Sequence, residues 1–228
     1  MKYGILCAMD EEIKALKKEL VDAKQTEIAG TIFYEGKIGP NEVVLVQSGI
    51  GKVQAGMTTG LLIAKFGAEV VINSGSAGGI GNDLHVGDVV LSTLVAYHDV
   101  DVTAFGYLPG QLPQQPQKFV ADEQLIVKVE QAAKENQQNV RLGLIVTGDQ
   151  FVASSLKIRE IKDMYPEVLC CEMEGAAIAQ VAFQFKIPFV VIRAMSDTGD
   201  EDANVSFDEF IIEAGKKSAQ MILNLLAK

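Results

Sequence analysis

The sequence predicts an α/β fold in a single domain, with a central mixed β-sheet flanked by helices. Three observations predict it. Short apolar runs alternate with segments of helical period along the whole chain. The 228 residues suit one compact domain, residues 1–228, and can bury a large core without disulfide or metal staples. A hairpin pattern near residues 31–48 adds antiparallel pairing, which makes the sheet mixed rather than purely parallel. No internal repeat, low-complexity tract or linker interrupts the pattern.

Each element has its own reason. KYGILCA (2–8) is a run apolar enough for a buried strand, and DEEIKALKKEL (10–20) follows as a helix. Ile13, Leu16, Lys17 and Leu20 lie along one side of that helix, with Asp10 in the position of a cap. TIFYEGKIGPNEVVLVQS gives two strands around a turn at Gly39–Pro40–Asn41. Residues 52–65 carry small and apolar side chains at helical spacing. EVVINS (69–74) is a strand that runs into GSAGGIG (75–81), read as a glycine-rich loop. A strand at 87–96 precedes a stretch, 104–119, whose glycines and prolines exclude regular structure; a loop this long in a compact domain is usually functional. Then come a helix at 122–136, a strand at 142–147 and helical spacing at 154–163. A strand at 168–172, a small-residue helix at 175–185, a strand at 189–197 and a last helix at about 206–227 complete the chain.

Composition removes several function classes. The net charge is −10 and the only arginines are Arg141, Arg159 and Arg193, so a nucleic-acid surface is disfavoured. No apolar run reaches the length of a membrane span, and the N-terminus lacks a signal-peptide pattern. The three cysteines, two of them adjacent, do not form a disulfide framework and read as core residues in a reducing compartment, so a cytoplasmic protein is expected. His85 and His98 stand 13 apart with no further ligand at metal spacing, and no metal is expected.

The acids are the chemical signal. Glu12 closes the first strand–helix junction, Glu172 and Glu174 sit in CCEMEGAA, and Asp197 follows FVVIRAMS. Carboxyls beside apolar strands can divide the roles of general acid and general base. Each also has a plainer reading. Glu12 fits as a first-turn helix acid, and Asp197 as a turn or cap residue in DTGD. Glu172 or Glu174 fits as the structural partner of Arg193, whose place in an apolar strand demands a carboxylate. The glycine-rich 75–81 segment could cradle an anion or polar ligand with its amides, or could simply turn between layers. Met9, Met173 and Met195 recur beside the acids, as core filling or as a soft wall for an apolar or sulfur-bearing ligand.

Six blocks in order carry a resemblance: GILCAMDEE (4–12), SGIGKVQAG (48–56), NSGSAGGI (73–80), VTGDQF (146–151), CEMEGAAIAQVA (171–182) and IRAMSD (192–197). The chain resembles the 5'-methylthioadenosine/S-adenosylhomocysteine nucleosidases, within the purine nucleoside phosphorylase and uridine phosphorylase superfamily, along essentially its whole length. The resemblance implies a nucleoside phosphorylase-like fold and hydrolysis of the N-glycosidic bond of 5'-thioadenosine nucleosides, and of 5'-deoxyadenosine, without a cofactor. It implies that Asp197 protonates the purine, Glu12 activates water and Glu174 holds the ribose hydroxyls within reach of Arg193. Ser196 would assist Asp197. Phe151 would stack on adenine, and the Val152 backbone would read its edge. Ser76, Ala77 and Gly78 would line the sugar and water site, walled by Met9, Ile50, Met173 and Phe207. It further implies a homodimer in which Val102, Phe105 and Pro113 complete the partner's pocket. The closest alternative is a phosphate-dependent purine nucleoside phosphorylase. Against it stands the absence of arginine from the first 140 residues, since a phosphate dianion is usually held by arginines. A non-catalytic nucleoside-binding protein would have no need of Glu12 and Asp197 together.

Overall fold

The computed structural model describes residues 1–135, 138–200 and 202–227. In chain order the first half holds β1 (Lys2–Cys7), α1 (Asp10–Glu19), β2 (Val21–Ile28), β3 (Thr31–Ile38), β4 (Asn41–Gln47), α2 (Lys52–Ala64), β5 (Val70–Gly79) and β6 (Val89–Tyr97). A 3₁₀ turn at Thr103–Phe105 follows. The second half holds β7 (Lys118–Val120), α3 (Glu123–Glu135), β8 (Val140–Thr147), α4 (Ser155–Met164), β9 (Val168–Glu172), α5 (Gly175–Phe185), β10 (Phe189–Asp197) and α6 (Ala203–Leu226).

The sheet is mixed, as the hairpin pattern implied. β1 lies between β4 and β5 and is parallel to both, and β5 is parallel to β10. β3 and β2 extend the β4 edge antiparallel. Beyond β10 the sheet curls: β10 pairs with β6, β6 with β8, β8 with β9, and β9 returns antiparallel to β5 at Gly78 and Gly79. Five strands thus close a ring, and four extend from it as an open sheet. α2 and α5 pack together over one face, and α1, α3 and α6 cover the other, which separates the core into two large apolar clusters. A third cluster lies under α4, around Leu144, Ile161 and Tyr165.

Four expectations are corrected. GSAGGIG is no loop: Gly75–Gly79 continue β5, fully buried, and pair with β10 and then β9. Three of its amides have partners within the chain, Ser76 with Glu12, and Ile80 and Gly81 with the Leu169 carbonyl. A strand stands at Val21–Ile28 where no apolar alternation predicts one: VDAKQTEI is nearly all exposed, and backbone pairing to β3 holds this edge strand. Met9, not Asp10, occupies the N-cap of α1, and the side chain that serves that end is Glu12, which accepts the Met9 amide. The last helix starts at Ala203, one turn earlier than its apolar periodicity suggested. Residue 136, the expected end of the helix at 122–136, lies outside the described residues.

Candidate active site

The ends of β1, β5, β9 and β10 converge on one cleft. β1 leads to Met9 and Glu12, β5 contributes Ser76, Ala77 and Gly78, and β9 leads to Met173 and Glu174. β10 brings Arg193, Ser196 and Asp197. Ile50 before α2, Phe151 and Val152 after β8, and Phe207 on α6 form the walls. The cleft holds about 580 Å³ of empty space, its open mouth included, within the range of small-molecule sites. All fourteen of these residues were singled out from the sequence, and the fold brings them together. Val102, Phe105 and Pro113 do not line the cleft, and the Phe105 ring is 83% exposed.

Glu12 is buried and receives four hydrogen bonds. Oε2 accepts the amides of Ala8 and Met9 at 2.9 and 3.1 Å, and Oε1 accepts the amide and hydroxyl of Ser76 at 3.0 and 3.1 Å. The plain first-turn reading does not account for a carboxylate turned inward onto a second strand. Its orientation is fixed while one face stays on the cleft.

Arg193 is fully buried and its charge is met at once by Glu172, Glu174 and Asn73. Glu172 is the closer partner. It also accepts the Glu174 and Gly175 amides and the Thr147 hydroxyl. Glu174 lies farther from the guanidinium, at 3.4 Å, and takes the Gly51 amide at 2.9 Å on its other oxygen. Burial pushes the Glu174 carboxyl up to about 7; Arg193 opposes the shift, and the charge on Glu172 adds to it. The sequence left open which glutamate pairs with Arg193. Glu172 is the structural partner, and Glu174 keeps the freedom to receive a ligand hydroxyl.

Asp197 ends β10. Burial raises its carboxyl above the ordinary range, against the Ser196 hydroxyl, 2.9 Å from Oδ2, and the Gly199 amide, 2.9 Å from Oδ1. A carboxyl raised by burial at a strand end is better suited to proton donation than an ordinary aspartate.

The glycines of β5 serve close approach, not turning. A Cβ on Gly75 would overlap Nη1 of Arg193 and stand 2.8 Å from Oε1 of Glu12, while one on Gly78 would stand 2.8 Å from Oδ1 of Asp197. The bare strand lets an arginine and two carboxyls crowd its surface.

Other residues fall outside their assigned places or were not anticipated. Met195 is fully buried against Gly79, so it fills the core and does not wall the cleft. Ala8, Gln150, Cys171 and Glu172 line the cleft in addition. Ala8 acts through its amide, which no side-chain pattern announces; Gln150, a polar residue at a strand exit inside VTGDQF, was open to detection. All three cysteines are free and buried, and burial raises their thiols well above the ordinary range, which removes them as nucleophiles. His85 is exposed and His98 buried, and no metal-holding group of acids, cysteines and histidines occurs among the described residues. Nor, among them, is any helix long and apolar enough to cross a membrane.

Known proteins resemble this chain over its length. Residues 2–227 match the family model of the phosphorylase superfamily. The 5'-methylthioadenosine/S-adenosylhomocysteine nucleosidase of Staphylococcus carnosus is 45% identical over 98% of both chains. That of Actinobacillus succinogenes is 47% identical over 100% of this chain and 99% of its own. The structure of S-adenosylhomocysteine nucleosidase from Streptococcus pyogenes in complex with 5-methylthiotubericidin superposes with a TM-score of 0.97 at 48% identity, covering 100% of this chain and 96% of that one. The Neisseria meningitidis nucleosidase in complex with methylthio-immucillin-A gives 0.98 at 46% identity, covering 99% and 98%. On fold, site and sequence together, the chain belongs to the phosphorylase superfamily and, within it, to the 5'-methylthioadenosine/S-adenosylhomocysteine nucleosidases.

Proposed function

We propose that the chain, acting as one domain, hydrolyses the N-glycosidic bond of 5'-methylthioadenosine and S-adenosylhomocysteine, and of 5'-deoxyadenosine, releasing adenine and the 5-substituted ribose. The observation that carries this reading is the meeting of Glu12, Glu174 and Asp197, from three distant segments, on one cleft beside Phe151. Adenine stacks on Phe151, with the Val152 backbone at its edge. Glu174 accepts hydrogen bonds from the ribose hydroxyls. Asp197, steadied by Ser196, gives its proton to the purine N7 as the electrons of the C1'–N9 bond pass to the base. Glu12 takes a proton from the water whose oxygen bonds to C1'. Both carboxyls reset by proton exchange with solvent. Carboxylates around the sugar favour the positive charge that builds there, and the acid at the base neutralises the negative charge of the leaving group. The division of roles resembles an inverting glycoside hydrolase.

Hydrolysis is favoured over phosphorolysis because the one arginine of the cleft is already engaged by two glutamates. We place the protein in the cytoplasm, which fits its three free cysteines, and read it as a homodimer. Apolar side chains stand out on α2, α5 and the 103–105 turn, among them Val53, Phe183 and Phe105. Such a surface suits burial against a second copy, whose Val102, Phe105 and Pro113 would close the mouth of the cleft around the 5' tail. Incubation with methylthioadenosine, with and without phosphate, tests the chemistry. Free 5-methylthioribose in both is expected; 5-methylthioribose 1-phosphate, or a strict need for phosphate, overturns it.

A further inference from the structure

Helix α2 begins without a capping side chain of its own, and both of its first amides go to acids elsewhere in the chain. The Gly51 amide donates to Glu174 Oε1 at 2.9 Å, and the Lys52 amide donates to Asp149 Oδ1 at 2.8 Å. Gly51 needs its positive φ of 96° to make this corner, and a Cβ there would meet Asp149 Oδ1 at 3.1 Å. The Lys52 side chain folds back on the same acids, with its ammonium 2.7 Å from Asp99 Oδ2 and 3.6 Å from Asp149 Oδ2, over the ring of Tyr97. Asp99 Oδ2 in turn accepts the Asp149 amide at 2.8 Å. One ammonium therefore joins the start of α2, the chain just past the end of β6 and the exit of β8.

Two of those segments lead straight to the cleft. The start of α2 carries the amide that Glu174 accepts. The β8 exit continues from Asp149 into Gln150, Phe151 and Val152, the wall assigned to the base. Lys52, Asp99 and Asp149 themselves stand outside the cleft. We propose that Lys52 is a positioning residue: its ion pairs with Asp99 and Asp149 set the Gly51 amide on Glu174 and hold the base wall in the same register. Sugar and base are then gripped in one fixed relation, which is what an N-glycosidic reaction requires of its reactants. Lys52 and Asp149 keep contact with solvent, and ion pairs of that kind add little to folding. Their effect belongs on the ligand side, where small displacements of a binding group are costly.

The inference rests on Glu174 as the ribose acceptor, and the test separates the two. Lys52→Met, Asp99→Asn and Lys52→Arg are compared with the wild type for kcat, KM and the pH dependence of kcat/KM on methylthioadenosine, with melting temperature as a control. The first two are expected to raise KM by roughly tenfold. They should also move the acid limb of kcat/KM to higher pH. Glu174 faces Arg193 from β10, Glu172 from β9 and Glu12 from α1, and losing the Gly51 amide removes a hydrogen bond that favours its charged form. Lys52→Arg should recover part of both effects. In a Glu174→Gln background, Lys52→Met should shift the acid limb no further. Unchanged KM and acid limb in Lys52→Met and Asp99→Asn overturn the inference, whatever happens to the melting temperature. So does full additivity with Glu174→Gln. A wild type that releases no adenine overturns the functional reading, and the inference with it; an active wild type matched by its variants overturns the inference alone.

Discussion

Ser76 gives both its amide and its hydroxyl to a single oxygen of Glu12, at 3.0 and 3.1 Å. The other oxygen takes two amides of its own, so both ends of this group must accept. A glutamine satisfies only one end. Glu12→Gln should abolish most turnover, because an amide takes no proton from water. It should also leave an NH₂ facing two donors, at a stability cost of about 1–3 kcal/mol. Steady-state rates and a urea melt of the purified variant check both parts. Full activity in this variant would return Glu12 to the role of an ordinary helix-turn acid.

Asp197→Asn is a gentler change. Its carbonyl can accept the Gly199 amide while its NH₂ donates to the Ser196 hydroxyl, so both present contacts have a counterpart. Adenine binding and the melting temperature should stay near wild type, while kcat falls by about 10²–10⁴, the usual worth of general acid–base catalysis. Near-normal turnover rules out proton donation from this residue.

The raised carboxyl of Glu174 has a consequence for stability. It holds its proton up to about pH 7 when folded but releases it nearer the ordinary glutamate value of 4.5 when unfolded. Between those values the folded state binds more protons, so stability from this group is complete below the lower value and is lost as pH rises to the upper one. The stability of wild type relative to Glu174→Gln should therefore decline from about pH 4.5 to 7, by at most a few kcal/mol. Denaturation midpoints of both proteins across this range measure it. A flat difference removes the raised carboxyl from the account.

Phe105 bears on the assembly. With its ring 83% exposed in the single chain, Phe105→Ala should leave folding and adenine affinity nearly unchanged and raise KM for methylthioadenosine, since only the sugar and tail end is touched. Sedimentation at assay concentration checks the same reading from the other side. A fully active monomer is incompatible with a shared pocket.

The legible part of this site was the set of charged groups that interrupt apolar strands. Glu12, Glu174, Arg193 and Asp197 stand out because a charge beside a buried strand needs a reason, and the fold supplies one for each. What the residues left ambiguous was pairing: nothing in CCEMEGAA says that Glu172 takes the guanidinium and leaves Glu174 to the cleft. The glycine-rich segment misled for a definite cause. Glycine weakens an isolated strand, so a run of it reads as a turn; here strands on both sides of β5 hold it extended and neighbouring side chains need its bare surface. β2 escaped for the opposite cause, being a polar edge whose support is entirely backbone. Ala8 contributes an amide, and amides leave no mark on a residue pattern.

The closure of β5, β10, β6, β8 and β9 into a ring sets an anvil under the cleft. The floor of the cleft is a central strand, and shifting it means breaking ladders on both sides. Opposite it, the Phe151 and Phe207 rings meet edge to face at 5.6 Å, Phe151 on the β8 exit and Phe207 on α6. No β-ladder spans that junction. The two halves of the site therefore differ in what substitution they tolerate: the ring contact can be refilled by another apolar side chain, whereas the anvil admits almost nothing larger than hydrogen at Gly75 or Gly78.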